Sequence, residues 1–391
     1  MTFCSFIKDP ELRYGLRRGT VAEAWGEFIP SLADSVRGGR EYLEGCGVCD
    51  LRDDCRWCDV YGFLEHGRHG AKVEHLCAVA RENRAYRAAW ARDHTRYYEV
   101  ADITVQVESD LPFSDTTFDN KFESFRADGP GADTIVIRHH FGLPDLDGAE
   151  RGEELYRQPP WAIYRRGQSW VYVGIAPDAD DPTLHRVAEF NADHTRGELY
   201  NAEDSEKWWR DGGLGSLTMF PSDQILLARL LADRQGCFLH SGGLTIDGQG
   251  LLFVGHSDAG KSTTMELIRR ELGERVEILC DDRNIVRRWP GGFRVHGTWS
   301  HGDVPDVSSA SAPLRAIFFL EQSTENEIAR LDDRKLIWRR LLATLIRPMV
   351  TADWWQKEID VLEGIVDDVP CYTMRFDKSG AIVSELEGLT R

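Results

Sequence analysis

The stretch that most constrains this chain is residues 251–283, LLFVGHSDAGKSTTMELIRRELGERVEILCDDR. An apolar run at 251–254 leads into Gly255-His256-Ser257-Asp258-Ala259-Gly260-Lys261-Ser262, and Thr263 begins a helix-like segment that runs to 272. The loop satisfies G-x-x-x-x-G-K-[ST] at each fixed position and stands between a strand-like and a helix-like run, the context in which this motif has mechanical meaning. Gly255 and Gly260 permit a tight turn whose N–H groups point inward at phosphate oxygens. The following helix adds the positive end of its dipole. In such a loop Lys261 is expected to reach the β- and γ-phosphates and the Ser262 hydroxyl to hold Mg²⁺.

A second signal closes the stretch. Residues 276–280 form an apolar, strand-like run that ends in Asp281-Asp282-Arg283, nineteen residues beyond Ser262. Two carboxylates at a strand end can divide the work of phosphoryl transfer, one on the metal and one taking a proton from an acceptor hydroxyl. The reading adopted here makes Asp281 the base and Asp282 the metal partner. A coupled pair can exchange those roles.

Upstream, Cys237-Phe238-Leu239-His240-Ser241-Gly242-Gly243 and Leu244-Thr245-Ile246 precede the turn Asp247-Gly248-Gln249-Gly250. This predicts two strands joined by a tight turn, the second feeding the loop. A His before a hairpin, then the phosphate loop, then a strand ending Asp-Asp-Arg resembles the catalytic domain of HPr kinase/phosphorylase and its kinase-like relatives. That fold is itself related to ATP-dependent phosphoenolpyruvate carboxykinase. The resemblance implies an α/β, HPr-kinase-like P-loop core with a mixed sheet. It also implies ATP or a related phosphoryl donor, Mg²⁺, and a hydroxyl acceptor on a peptide, a protein or a small metabolite. His240 would hold or balance the catalytic carboxylate. Where that family places a Glu before an Arg-Gly pair, this chain has Arg294 followed by His296-Gly297. The competing reading is a nucleotide sensor or docking protein with little turnover. A carboxykinase acting on a small oxyacid would need a second metal site with His and Lys ligands, which the sequence does not offer.

Composition narrows the class. The chain has 391 residues, 42% of them hydrophobic, and a formal net charge of −18, which argues against general binding to nucleic acid or anionic membranes. The longest apolar runs fall short of the ~18 residues that span a bilayer, and the first residues lack an export signal, so the expectation is a cytoplasmic protein. Assembly into a homo-oligomer is compatible with all of this.

Six of the nine cysteines lie in the first 77 residues. Cys46, Cys49, Cys55 and Cys58 form two C-x-x-C pairs, with Cys4 before and Cys77 after them. Each pair can place two thiolates on one ion or cluster. A zinc ribbon would separate the pairs by about 15–20 residues, so the short spacing favours an iron–sulfur cluster, with compact structural zinc as the alternative and reduced, metal-free thiols as the third reading. The block resembles a truncated C-terminal SPASM region of radical-SAM peptide-modifying enzymes, on Cys4 with Gly15, the four-cysteine set, Trp57-Cys58 and Cys77. C-x-x-x-C-x-x-C is absent from the chain, so the resemblance implies a docking or sensing module with one cluster.

Three regions are expected: a cysteine-rich helical and loop domain at 1–92, an antiparallel β module at 93–205, and the kinase-like core at 206–391. A helix from Thr20 should stop at Pro30, and another should cover 74–93 with Arg84 and Arg87 on a solvated face. Strands are expected at 103–108, 134–138, 161–164, 170–173, 186–191 and 197–200. His139, His140 and His194 read as polar residues at strand ends in preference to metal ligands. Ser222 should cap an amphipathic helix to 234, and residues 292–303 should form a substrate loop. Further on, a strand is expected at 316–321, a helix at 334–346 before Pro348, and a terminal hairpin from 369 to 383.

Overall fold

The computed structural model describes residues 10–37, 39–145, 151–175, 184–220, 223–256, 259–347 and 350–390. Cys4, Ser222, Ser257, Asp258 and Pro348 therefore lie outside the described residues. The chain divides into two compact units, Met1–Asp93 and His94–Arg391.

The first unit is helical and looped. Its helices are α1 (Val21–Glu23), α2 (Ile29–Arg37), α3 (Arg40–Glu44), α4 (Asp59–His66) and α5 (Glu74–His94). Thr20 begins α1 with a reciprocal capping box to Glu23. Pro30 does not stop the segment. A π-helical stretch, Ala24–Phe28, precedes it, and Pro30 falls at the second residue of α2, in the first turn, where a missing N–H costs little. One apolar cluster here has Leu12 and Val60 buried, with Leu32, Cys58 and Phe63 against them, and Ala24, Ala71, Val73, Leu76 and Ala80 are also buried. Arg84 and Arg87 are not a merely solvated face. Arg84 Nε donates to Asp54 Oδ2 at 2.8 Å and Arg87 Nη1 to Asp54 Oδ1 at 3.2 Å, which ties α5 to the cysteine loop.

The second unit is mixed α/β with two mixed sheets. The first sheet holds β1 (Thr95–Val100), β2 (Ile103–Ser109), β3 (Arg126–Ala127), β4 (Thr134–Phe141), β5 (Glu153–Gln158), β6 (Trp161–Arg166), β7 (Ser169–Gly174), β8 (Arg186–Phe190) and β9 (Arg196–Asn201). Their order is β3-β1-β2-β4-β9-β8-β7-β6-β5. The expected strands and the β6–β7 and β8–β9 hairpins are present, but the sheet is not purely antiparallel, because β4 runs parallel to both β2 and β9. Alternation along a strand reports burial of its faces, not the direction of its neighbour.

After α6 (Ser205–Asp211), α7 (Gln224–Ala232) starts behind Asp223, whose φ of 49° is left-handed. All but its first residue are buried, so it is a core helix rather than an amphipathic one. Leu226, Leu227, Leu230 and Leu231 share one apolar core with Ile103 and Val105 of the first sheet and with Phe238 and Ile285 of the second. That shared core makes the two sheets one unit.

The second sheet holds β10 (Gly236–Ile246), β11 (Gln249–Val254), β12 (Val276–Cys280), β13 (Arg283–Trp289), β14 (Gly292–His296), β15 (Ser311–Gln322), β16 (Glu327–Arg330) and β17 (Cys371–Phe376). The order is β11-β10-β13-β14-β15-β17-β16, closed on itself by parallel pairing of β11 with β15, and β12 pairs β10. Its helices are α8 (Lys261–Leu272), α9 (Arg334–Thr344), α10 (Ala352–Asp368) and α11 (Ile382–Thr390). Met265 and Ile268 of α8 pack into one apolar cluster with Leu251 and Phe253. Ile337 and Leu341 of α9 join another with the alternate residues Leu252 and Val254, so α8 and α9 cover opposite faces of β11. The expected terminal hairpin is instead a strand followed by a helix: Ile382, Val383 and Leu386 recur at helical spacing and are buried beside α8.

Candidate functional site

β10 and β11 form the expected hairpin, turning at Asp247-Gly248, both with positive φ. β11 then delivers Gly255, and α8 begins at Lys261. A Cβ on Gly255 would lie 2.5 Å from the Ala259 Cβ, and one on Gly260, at φ 97°, would meet the Phe376 ring at 2.8 Å. Both positions therefore require glycine. Lys261 is buried and its Nζ donates to the carbonyls of Gly255 and His256, each at 3.2 Å. The ammonium thus lies inside the curl of the loop, where it can transfer to incoming phosphate oxygens. His256 is exposed, Ala259 is buried, and Thr263 follows Ser262 in the first turn of α8.

The Asp pair stands beside this loop, with its two members on different partners. Ser262 Oγ donates to Asp281 Oδ2 at 3.0 Å. Asp281 also accepts from the Val304 N–H at 2.8 Å and from the Gly302 N–H. Asp282 instead accepts from Ser300 Oγ at 3.0 Å and from Arg283 Nη1, and His240 Nε2 lies 3.4 Å from its Oδ1. Ser262, expected to share Mg²⁺ with Asp282, thus bonds Asp281. β12 skips from Ile278 opposite Leu244 to Cys280 opposite Gly243, which breaks the alternation before the carboxylates. Burial, with Lys261 close by, pushes His240 below the usual imidazole range, so its contact with Asp282 at neutral pH is that of a neutral ring.

Sequence reasoning missed the loop that holds the pair. Within and just after the expected substrate loop, 292–303, Ser300, Gly302 and Val304 bond the carboxylates. Arg294 and His296 are elsewhere. Arg294 Nη2 donates to Ser311 at the β14–β15 pairing, and His296 is buried beside Trp289, with burial pushing its pKa down to about 3. Beside the loop lies a cavity of about 560 Å³, bordered by His240, His256, Phe319, Glu321, Arg340 and Thr344. Its Arg and Glu come from helix and strand positions that carry no local motif.

In the first unit, Cys46, Cys49, Cys55 and Cys77 line one cavity of about 200 Å³. Cys58 does not; it packs against Val60 and Leu12. Burial raises the thiols of Cys46 and Cys77, and each is raised further by the neighbouring cysteines. Among the described residues, no group of three or more His, Cys, Asp or Glu is arranged to hold a metal ion. The histidines of the first sheet are structural. His139 is buried between Leu217 O and Asn201, and His194 stacks on Phe190 and bonds the Tyr172 hydroxyl. His140 bridges Asp110 and Glu198, at 2.7 Å from each. No described helix is long and apolar enough to cross a membrane.

Residues 216–391 match the family model described as ScmC, a SynChlorMet cassette protein. Among solved structures the chain is similar to the Hpr(Ser) kinase/phosphatase from Coxiella burnetii, at 13% identity and a TM-score of 0.24, over 39% of this chain and 88% of that one. Curated proteins give no match.

Proposed function

We propose that the second unit is a phosphotransferase that binds a nucleoside triphosphate with Mg²⁺ on the loop 255–262 and passes the terminal phosphoryl group to a hydroxyl. The observation that carries this is the division of the Asp pair. Asp281 is bonded to Ser262, the loop hydroxyl suited to Mg²⁺, while Asp282 faces away toward His240. Mg²⁺ would neutralise charge building on the transferring group. Asp281 and Ser262 are the residues placed to hold it. Asp282, kept in position by Ser300, Arg283 and neutral His240, is placed to take the acceptor proton. Lys261 leaves two carbonyls for phosphate oxygens, so binding exchanges neutral acceptors for charged ones. Calorimetry with MgATP, followed by ADP release, tests this. A protein that binds MgATP and releases no ADP with any hydroxyl acceptor would be the nucleotide sensor instead.

For the first unit we propose an iron–sulfur cluster held by Cys46, Cys49, Cys55 and Cys77. What supports this is the donor type: four thiols border one cavity of about 200 Å³, and thiolates are the ligands of such clusters. Compact structural zinc on the same thiols is the alternative. Iron and sulfide analysis of anaerobically purified protein decides between the two.

A further inference from the structure

Building on the phosphotransferase reading, we infer that the cavity between the start of the phosphate loop, the end of β15 and α9 is the acceptor site, and that it takes a small hydroxylated carboxylate. Donor phosphates on the loop extend along the N-terminus of α8, beside Ser262 and Asp281. In-line transfer requires the acceptor oxygen to arrive opposite the leaving oxygen. The cavity lies toward α9, which covers the face of β11 opposite α8, and its wall includes His240, the side chain beside Asp282. A hydroxyl entering there arrives beside His240, the side chain in contact with the carboxylate that Ser262 leaves alone.

Glu321 accepts from Arg340 Nη2 at 2.6 Å and from Arg375 Nε at 3.3 Å, while Arg375 also donates to Glu327 at 3.4 Å. Among the described residues Arg340 engages only Nη2 in hydrogen bonding, while its plane lies over the Phe319 ring at 5.4 Å. It keeps donors in a fixed fork that suits a second carboxylate. Because His240 and Arg340 border the same cavity of about 560 Å³, the hydroxyl and the anion belong on one small molecule. In the reaction the acceptor O–H gives its proton to Asp282 as its oxygen bonds the γ-phosphorus. The bond from that phosphorus to the β–γ bridging oxygen breaks, and the diphosphate leaves with the electron pair.

The test uses the full chain with MgATP, and with D-glycerate and L-serine as probes. ADP release and ³¹P NMR report transfer, and calorimetry reports MgATP affinity. We expect a phosphomonoester from at least one probe. Arg340→Leu should raise the KM for that probe by about 10–100-fold, the size of losing charge-assisted hydrogen bonds. Its MgATP affinity should stay within about twofold of wild type, because only the loop binds the nucleotide, and Arg340→Lys should restore part of the lost affinity for the probe. MgATP binding with no phosphomonoester from either probe overturns the acceptor site but leaves the nucleotide loop standing. So does a KM that Arg340→Leu leaves unchanged. Absence of MgATP binding removes the phosphotransferase reading and this site together.

Discussion

Trp299 donates its indole N–H to the buried carboxylate of Asp223 at 3.0 Å, and this bond links the start of α7 to the loop that holds the Asp pair. Asp223 also accepts from the Leu217 and Thr218 N–H groups, at 2.8 and 2.7 Å, so it is a fixed anchor. The Trp299 ring packs on Phe122 and Phe125, with centroids at 5.2 and 5.3 Å, which connects the first sheet's core to the carboxylates. Trp299→Phe keeps that packing and removes one donor. A loss of about 1–3 kcal/mol in urea-melt stability is expected. Loosening Gly302 and Val304 should also raise the Mg²⁺ concentration needed for nucleotide binding. A Mg²⁺ titration identical to wild type would confine Trp299 to a packing role.

The two aspartates should fail differently when changed to Asn. Asp281→Asn removes the negative charge beside Ser262, so Mg²⁺-dependent nucleotide affinity should fall, with partial recovery at high Mg²⁺. Asp282→Asn should bind MgATP almost normally and lose transfer by about 10²–10⁴-fold, the scale of general-base catalysis. If the phenotypes come out exchanged, the assignment from geometry is reversed. Full transfer activity in the double variant would remove both carboxylates from the mechanism.

Lys261 bonds two carbonyls of its own loop, so its removal affects both the ligand and the loop. Lys261→Ala should weaken MgATP binding at least tenfold while the thermal midpoint moves by only a few degrees, as expected for a loss near 1 kcal/mol in a unit of this size. Unchanged nucleotide affinity by calorimetry would take phosphate off this loop.

Two cysteines separate the ligand sets. Cys77→Ser should lower iron content and visible absorbance, because Cys77 borders the thiol cavity. Cys58→Ser should retain both, since Cys58 packs in the small apolar cluster. Equal iron loss in the two variants would return Cys58 to the ligand set.

Glu358 on α10 is fully buried, and neither carboxyl oxygen has a hydrogen-bond partner among the described residues. Burial raises its pKa well above 4.5, so the folded state holds it neutral. The sign follows from linkage. Its contribution is fully present below about pH 4.5 and declines as pH rises, because the unfolded chain ionises first. Glu358→Gln should therefore gain stability over wild type as pH increases from 5 to 8. Parallel stability curves for the two proteins across that range would place an ionised carboxylate in the core.

What the sequence determined is local. The glycine spacing, the Asp-Gly turn and the apolar runs at 251–254 and 276–280 involve consecutive residues, so strand, loop and helix around Lys261 were legible from their own chemistry. The histidines of the first sheet were likewise legible as structural residues, and the structure supplies the partners that make them so. Tertiary structure decided everything that depends on distant partners. The folded chain settled which aspartate meets Ser262, and strands far apart in sequence made the first sheet mixed. The cysteine cavity took Cys77 from α5 in place of Cys58, because a thiol nineteen residues away in sequence folds back against the loop while its nearer neighbour is drawn into an apolar cluster. The hold of residues 297–304 on the Asp pair was invisible for the same reason. Backbone N–H groups carry no sequence signature, and only the folded chain brings Gly302 and Val304 to Asp281.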